Sequence, residues 1–137
     1  MDLGIKGKHA IVCASSRGLG RACAQALAEA GVNLVINGLN EQRLALVAKE
    51  IEESTGVSVI PVAADVSTEE GQMALLAACP EPDILVNNNA GPPLKDFRQL
   101  DKNAMIDGVN MNMLTPISLI QQVIDSMAAK GFGRIVS

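Results

Sequence analysis

Short apolar runs alternate along the chain with stretches of helical periodicity, and no other feature restricts its fold so tightly. Ala10 to Ala14 and Ile84 to Val86 are continuously apolar, and Val32 to Ile36 and Val57 to Val62 are apolar but for Asn33 and Ser58. Strands buried on both faces read this way; half-exposed strands alternate instead. Between the first two runs, Leu19, Cys23, Ala26, Leu27 and Ala30 recur at helical spacing before a Gly31 stop. Leu44, Val47, Ala48 and Ile51 form a second stripe, with Asn40 as its expected cap and Gly56 as its end. Ser67-Thr68-Glu69-Glu70 reads as a capping box with Ser67 at the cap, opening a third helix that ends near Cys79-Pro80. A long fourth helical stretch carries Ile106, Val109, Met113, Ile117, Ile120, Ile124 and Met127 on one expected apolar stripe. Pro116 inside it is expected to kink or divide the helix. After the Gly131-Phe132-Gly133 turn, Arg134 to Ser137 reads as the start of a fifth strand. This alternation predicts one α/β domain over residues 1–137, a doubly wound parallel sheet with strand order 3-2-1-4-5 and helices on both faces.

Composition narrows the function classes. Hydrophobic content of 48% over 137 residues supplies one real core, and a net charge of −4 offers no basic face for nucleic acid. No apolar run approaches the roughly 18 residues that span a bilayer. Met1-Asp2-Leu3-Gly4 lacks the basic and apolar regions of a signal peptide. Cys13, Cys23 and Cys79 are odd in number and show no metal-ligand spacing, so they read as reduced thiols of a cytoplasmic protein. His9, the single histidine, has no partner constellation in sequence and reads as structural. The residues shown contain no Tyr, which removes one residue type from any catalytic scheme they could run alone.

Chemistry enters at "CASSRGLG", where the first strand meets the first helix. In a dinucleotide-binding fold this turn presents backbone N–H groups and the positive helix end to a pyrophosphate. Gly18 would let the backbone approach the ligand, and Gly20 would let the helix pack closely on the strand. The Gly-x-x-x-Gly-x-Gly spacing calls for a third glycine at position 14, but Ala14 stands there, and its Cβ disfavours a positive φ. The bland alternative is a glycine-bearing loop that only connects two elements. A cofactor-selecting acid at the end of the second strand would favour NAD; that position falls on Gly38, and no acid follows before Glu41. Arg17 could instead donate to the 2′-phosphate of NADP, or be a solvated charge at a helix start. NADP is the expected cofactor over NAD.

From Lys6 to Ser137 the sequence resembles the N-terminal half of a short-chain dehydrogenase/reductase, and is most similar to 3-oxoacyl-(acyl-carrier-protein) reductases. The marks are "GKHAIVCASSRGLGRACAQALAEAG", "ADVS", "DILVNN", "NMLTPI" and "GRIV", in that order. Cys13 and Ala14 depart from the family's Thr-Gly opening, and Leu39 replaces a frequent basic residue. The resemblance implies a Rossmann-like fold broken off at the start of the fifth strand. It also implies an NADP-dependent enzyme reducing a carbonyl by hydride transfer, such as a 3-oxoacyl group on an acyl carrier in fatty acid biosynthesis. The partner would be that acyl-carrier-bound or a small-molecule carbonyl, and the assembly a homo-oligomer, dimer or tetramer.

The resemblance also implies site residues. Ala14, Ser16, Arg17, Gly18, Leu19, Gly20 and Gly38 would surround the cofactor phosphates and ribose. Asp65 would meet the adenine amino group and Val66 the ring face, although an Asp there also suits a plain turn. "VNNNAGPP" holds the family's Asn-Asn-Ala-Gly either as Asn88-Asn89-Ala90-Gly91 or, ungapped, from Asn87-Asn88. Asn112 matches the catalytic asparagine that holds a proton-relay water; Asn110 competes for the role, and either amide needs a partner if buried. The family's Ser, Tyr and Lys come later than "GRIV", so Ser137 is not taken as the catalytic serine. The chain is therefore expected to bind cofactor without turnover. The rival readings are a nucleotide-binding or interaction module without catalysis, and a Rossmann-like domain that binds no nucleotide.

Overall fold

The computed structural model describes residues 1–137. Its elements follow the expected alternation: β1 (His9–Val12), α1 (Gly18–Glu29), β2 (Asn33–Gly38), α2 (Glu41–Thr55), β3 (Val59–Ala63), α3 (Glu69–Ala78), β4 (Ile84–Val86), α4 (Lys102–Val109), α5 (Thr115–Lys130) and β5 (Arg134–Val136). The strands form one sheet in the order β3-β2-β1-β4-β5. Every pairing is parallel.

The continuous apolar runs are explained by two cores, one on each face. Ala10 and Val12 of β1 join α1 and α2 residues, among them Ala24, Ala28, Leu44, Val47 and Ile51. Ile11 and Cys13 point the other way, into a core with Leu75, Leu119, Val123 and Met127 from α3 and α5. Successive strand residues face opposite sides, so both parities must be apolar when both sides are covered. Pro61 sits in β3, an edge strand, where its missing N–H leaves no interior ladder bond unmade.

Three expectations need correction. The α3 cap is Thr68, not Ser67: the Thr68 hydroxyl accepts from Gly71 N–H at 3.0 Å. Ser67 is engaged instead by Asp65, whose Oδ1 accepts both its N–H (2.9 Å) and its hydroxyl (2.7 Å). The long apolar stripe is buried only in part. Ile106, Val109, Met113, Ile117 and Ile124 are exposed; of the expected stripe Met127 is buried and Ile120 packs against the core, and Thr115, Leu119 and Val123 join Met127 against the sheet. The buried face is turned by about 100°, one residue's step around the helix. Apolar residues cover much of α5, and hydrophobicity alone does not say which part the sheet takes. Finally, β1 stops at Val12, short of its expected run, and β3 begins at Val59, inside its own, while β2 does end at Gly38.

Pro116 divides the long helix as expected, and the manner matters for the site. Residues Asn110–Leu114 form a π-helical turn between α4 and α5, with Pro116 in the first turn of α5.

At the opposite end of the sheet, Asp83 Oδ1 meets Lys130 Nζ at 2.9 Å and Oδ2 accepts His9 N–H at 2.9 Å. Burial alone would raise this carboxyl, but the Lys130 and His9 hydrogen bonds and the charges of Lys130 and Lys8 outweigh it and lower its pKa. A carboxyl depressed on folding stabilises the protein above the unfolded value of about 3.9, and that contribution fades as pH falls through the folded value. Thermal melts are thus expected to lose stability below about pH 4, with a shallower acid dependence in Lys130→Met than in wild type.

Candidate functional site

The carboxyl ends of β1 to β4 converge on one corner, and buried amides hold it together. Asn37, at the end of β2 and 2% exposed, is the hub. Its Oδ1 accepts from Ala14 N–H (3.1 Å), and its Nδ2 donates to the carbonyls of Val62 (3.1 Å) and Ala64 (2.9 Å). Ser15, fully buried, exchanges hydrogen bonds with its backbone: Ser15 N–H donates to Asn37 O, and Asn37 N–H donates to the Ser15 hydroxyl oxygen Oγ. One side chain therefore ties the β1–α1 turn to the end of β3. Neither Asn37 nor Ser15 was among the expected site residues; the signal was a polar residue closing an otherwise apolar strand.

Ala14 adopts the positive φ its position demands, +46°. The left-handed region costs a non-glycine residue roughly 1–2 kcal/mol, so this turn is held under strain by its hydrogen bonds. Gly20 explains why the helix can come so close. A Cβ there would overlap the Ala14 carbonyl oxygen and lie 2.9 Å from Asn88 Nδ2. Asn88 Nδ2 donates to that same carbonyl at 3.3 Å.

What the turn leaves open is a run of backbone donors. The N–H groups of Ser16, Arg17, Gly18, Leu19 and Gly20 have no acceptor within the chain, and no side chain caps α1. Helix starts always leave orphan donors, and most are capped or solvated. Here they line a glycine turn at the carboxyl end of a parallel sheet, the geometry that receives a phosphate anion. The Leu19 side chain points to solvent, 82% exposed, so its contribution is its N–H. The Arg17 guanidinium is exposed and has no partner in the chain. Gly38 lies against Ser16: a Cβ at Gly38 would sit 3.1 Å from both Ser16 Cβ and Oγ.

Asp65 fills the plain turn role through Ser67, as above. Val66 departs from expectation: its side chain is buried in the second core, so it offers no surface to the face of an adenine ring. Its N–H, by contrast, makes no bond within the chain.

The three asparagines part company. Asn87 is buried, donates its N–H to Val136 O, and leaves its Oδ1 without a partner. Asn88 reaches the glycine turn. Asn89 Nδ2 donates to Met111 O at 3.2 Å. In π register residue 116 would bond that carbonyl, as Thr115 N–H bonds Asn110 O. Pro116 has no N–H to give, and Asn89 takes its place. The strand-end loop is thereby pinned to the segment bearing Asn112. Asn112 itself is exposed, and its amide donates to Gly108 O (3.1 Å) in its own helix, so the partner is local and not buried. Ala90 and Gly91 are exposed in the following loop. Cys13, beneath the turn, is inert: burial pushes its thiol up to about 12, against a smaller lowering by a backbone bond from Asn88.

The fold and this corner define a Rossmann-like domain of the dinucleotide-binding class. The chain belongs to the short chain dehydrogenases, an NAD(P)-dependent oxidoreductase family; residues 8–137 match that family. It is 33% identical over 138 residues to L-xylulose reductase of Cavia porcellus, covering 100% of this chain and 54% of that protein. It is 31% identical over 144 residues to the 3-oxoacyl-[acyl-carrier-protein] reductase FabG of Aquifex aeolicus, covering 100% of this chain and 57% of FabG. L-sorbose reductase from Gluconobacter frateurii, solved with NADPH and L-sorbose, superposes with a TM-score of 0.91 at 31% identity, over 98% of this chain and 53% of that one. The chain thus spans about half the length of the relatives it matches. No helix is long and apolar enough to cross a membrane.

Proposed function

We propose that this corner binds NADP(H), and that the protein reduces a carbonyl compound with it. The observation that carries the reading is the unpaired run of N–H groups from Ser16 to Gly20 beside the close approach of Gly20. Bound NADPH would supply a hydride; the chain's own residues supply the grip. Ser16 to Gly20 hold the pyrophosphate, and Arg17 with Ser16 beside Gly38 receives the 2′-phosphate, since no acid at Gly38 repels it. Asp65 and the Val66 N–H take the adenine edge. Asn88, Asn89, Ala90 and Gly91 shape the pocket wall, and Asn112 serves the proton relay.

The substrate we favour is a 3-oxoacyl group on an acyl carrier, supported by the likeness to FabG. The likeness to reductases of L-xylulose and L-sorbose favours a keto sugar as the second reading. The exposed stripe Ile106, Val109, Met113, Ile117 and Ile124 supports pairing with another copy of the chain, and the free thiols support a cytoplasmic setting.

Fluorescence titration of the 137-residue chain tests the proposal. Saturable binding of NADPH, weaker binding of NADH, and no NADPH oxidation with a 3-oxoacyl substrate are expected, because these residues hold no Tyr to donate the proton. No NADPH binding would overturn the cofactor reading, and turnover would overturn the assignment of the proton donor.

A further inference from the structure

We propose that Gln72 is a positioning residue for the adenine end of the cofactor, holding the Val66 peptide in the orientation an adenine ring requires. The inference rests on the reading of Asp65 and Val66 given above. Gln72, in the first turn of α3, is 6% exposed, and both ends of its amide are bonded. Nε2 donates to Val66 O at 2.9 Å. Oε1 accepts from Ser118 Oγ at 2.7 Å and Gln122 Nε2 at 2.8 Å, both on α5.

Thr68 treats the preceding peptide in the same way. Its N–H (3.1 Å) and its hydroxyl (2.8 Å) both donate to Asp65 O. A peptide unit is planar and trans, so fixing Asp65 O fixes the direction of Val66 N–H. Fixing Val66 O as well sets the torsions between the two peptides. The Val66 N–H is the group left free, while its side chain anchors the residue in the core. A buried amide is costly unless fully bonded. Gln72 uses both ends of its amide, bonding a strand-end loop through Nε2 and α5 through Oε1. Because α5 begins at the π turn that carries Asn112, Gln72 also registers the adenine edge to that helix.

The test compares NADPH with its deamino analogue, whose hypoxanthine presents N1–H and O6 where adenine presents an acceptor and an amino group. Both are titrated into the chain by nicotinamide fluorescence, with thermal melts alongside. Gln72→Glu keeps acceptors for Ser118 and Gln122 but loses the donor to Val66 O. Wild type is expected to prefer NADPH, and Gln72→Glu to lose about tenfold of that preference, the weight of one hydrogen bond, with the deamino form little changed. The paired variant S118A/Q122A, which frees Gln72 from α5, is expected to shift the preference the same way. A glutamine that merely supports the fold would weaken both dinucleotides equally, and that result overturns the proposal. Wild type binding both equally overturns the adenine reading and this inference with it. A wild-type preference retained in folded Gln72→Glu, or in S118A/Q122A where Gln72→Glu fails to fold, overturns the role of Gln72 alone.

Discussion

Gly20→Ala is expected to abolish NADPH binding and to lower Tm by about 10 °C, from a loss of about 3 kcal/mol. The added methyl would overlap the Ala14 carbonyl, which is backbone and cannot swing aside. Ala14 is already strained at φ +46° and held from both sides, by Asn37 at its N–H and Asn88 at its carbonyl. The helix start must therefore retreat, carrying the Ser16 to Gly20 donors with it. Differential scanning fluorimetry and NADPH fluorescence together check the result. An unchanged Tm would mean that α1 does not approach the turn as described.

The second large effect is expected from Asn37→Ala. Truncation strands three part-buried backbone groups: Ala14 N–H, Val62 O and Ala64 O. At about 1 kcal/mol for each broken bond the loss is about 3 kcal/mol. NADPH affinity should fall about tenfold or more, because the strained turn loses its anchor. Chemical denaturation with a parallel NADPH titration measures both. A variant with full affinity would show that the turn holds its shape without β2.

These two residues mark where sequence reading succeeds and where it stops. Gly20 was legible because the requirement is local: a turn, a helix start and a residue without Cβ lie within a few positions. The doubly wound sheet was legible for a similar reason, since burial on both faces writes itself into the central strands as apolar residues at consecutive positions, as in Ala10 to Ala14 and Ile84 to Val86. Asn37 was not, because its partners Ala14, Val62 and Ala64 come from two other strand ends and meet it only in three dimensions. Gln72 escaped for the same reason, its partners lying on a loop before it and a helix 46 residues or more away. The face of α5 was misread because two apolar stripes run along one helix. Ser67 lost the cap to Thr68 because the Asp65 carboxylate had already engaged it.

The central claim is that the free backbone donors at the first strand–helix junction receive a dinucleotide's pyrophosphate. Amide NMR of the isotopically labelled chain during NADPH titration tests it most directly. The account predicts that the N–H signals of Ser16, Arg17, Gly18, Leu19 and Gly20 shift most, saturating together with the fluorescence change. Saturating NADPH that leaves those five amides unmoved would contradict it.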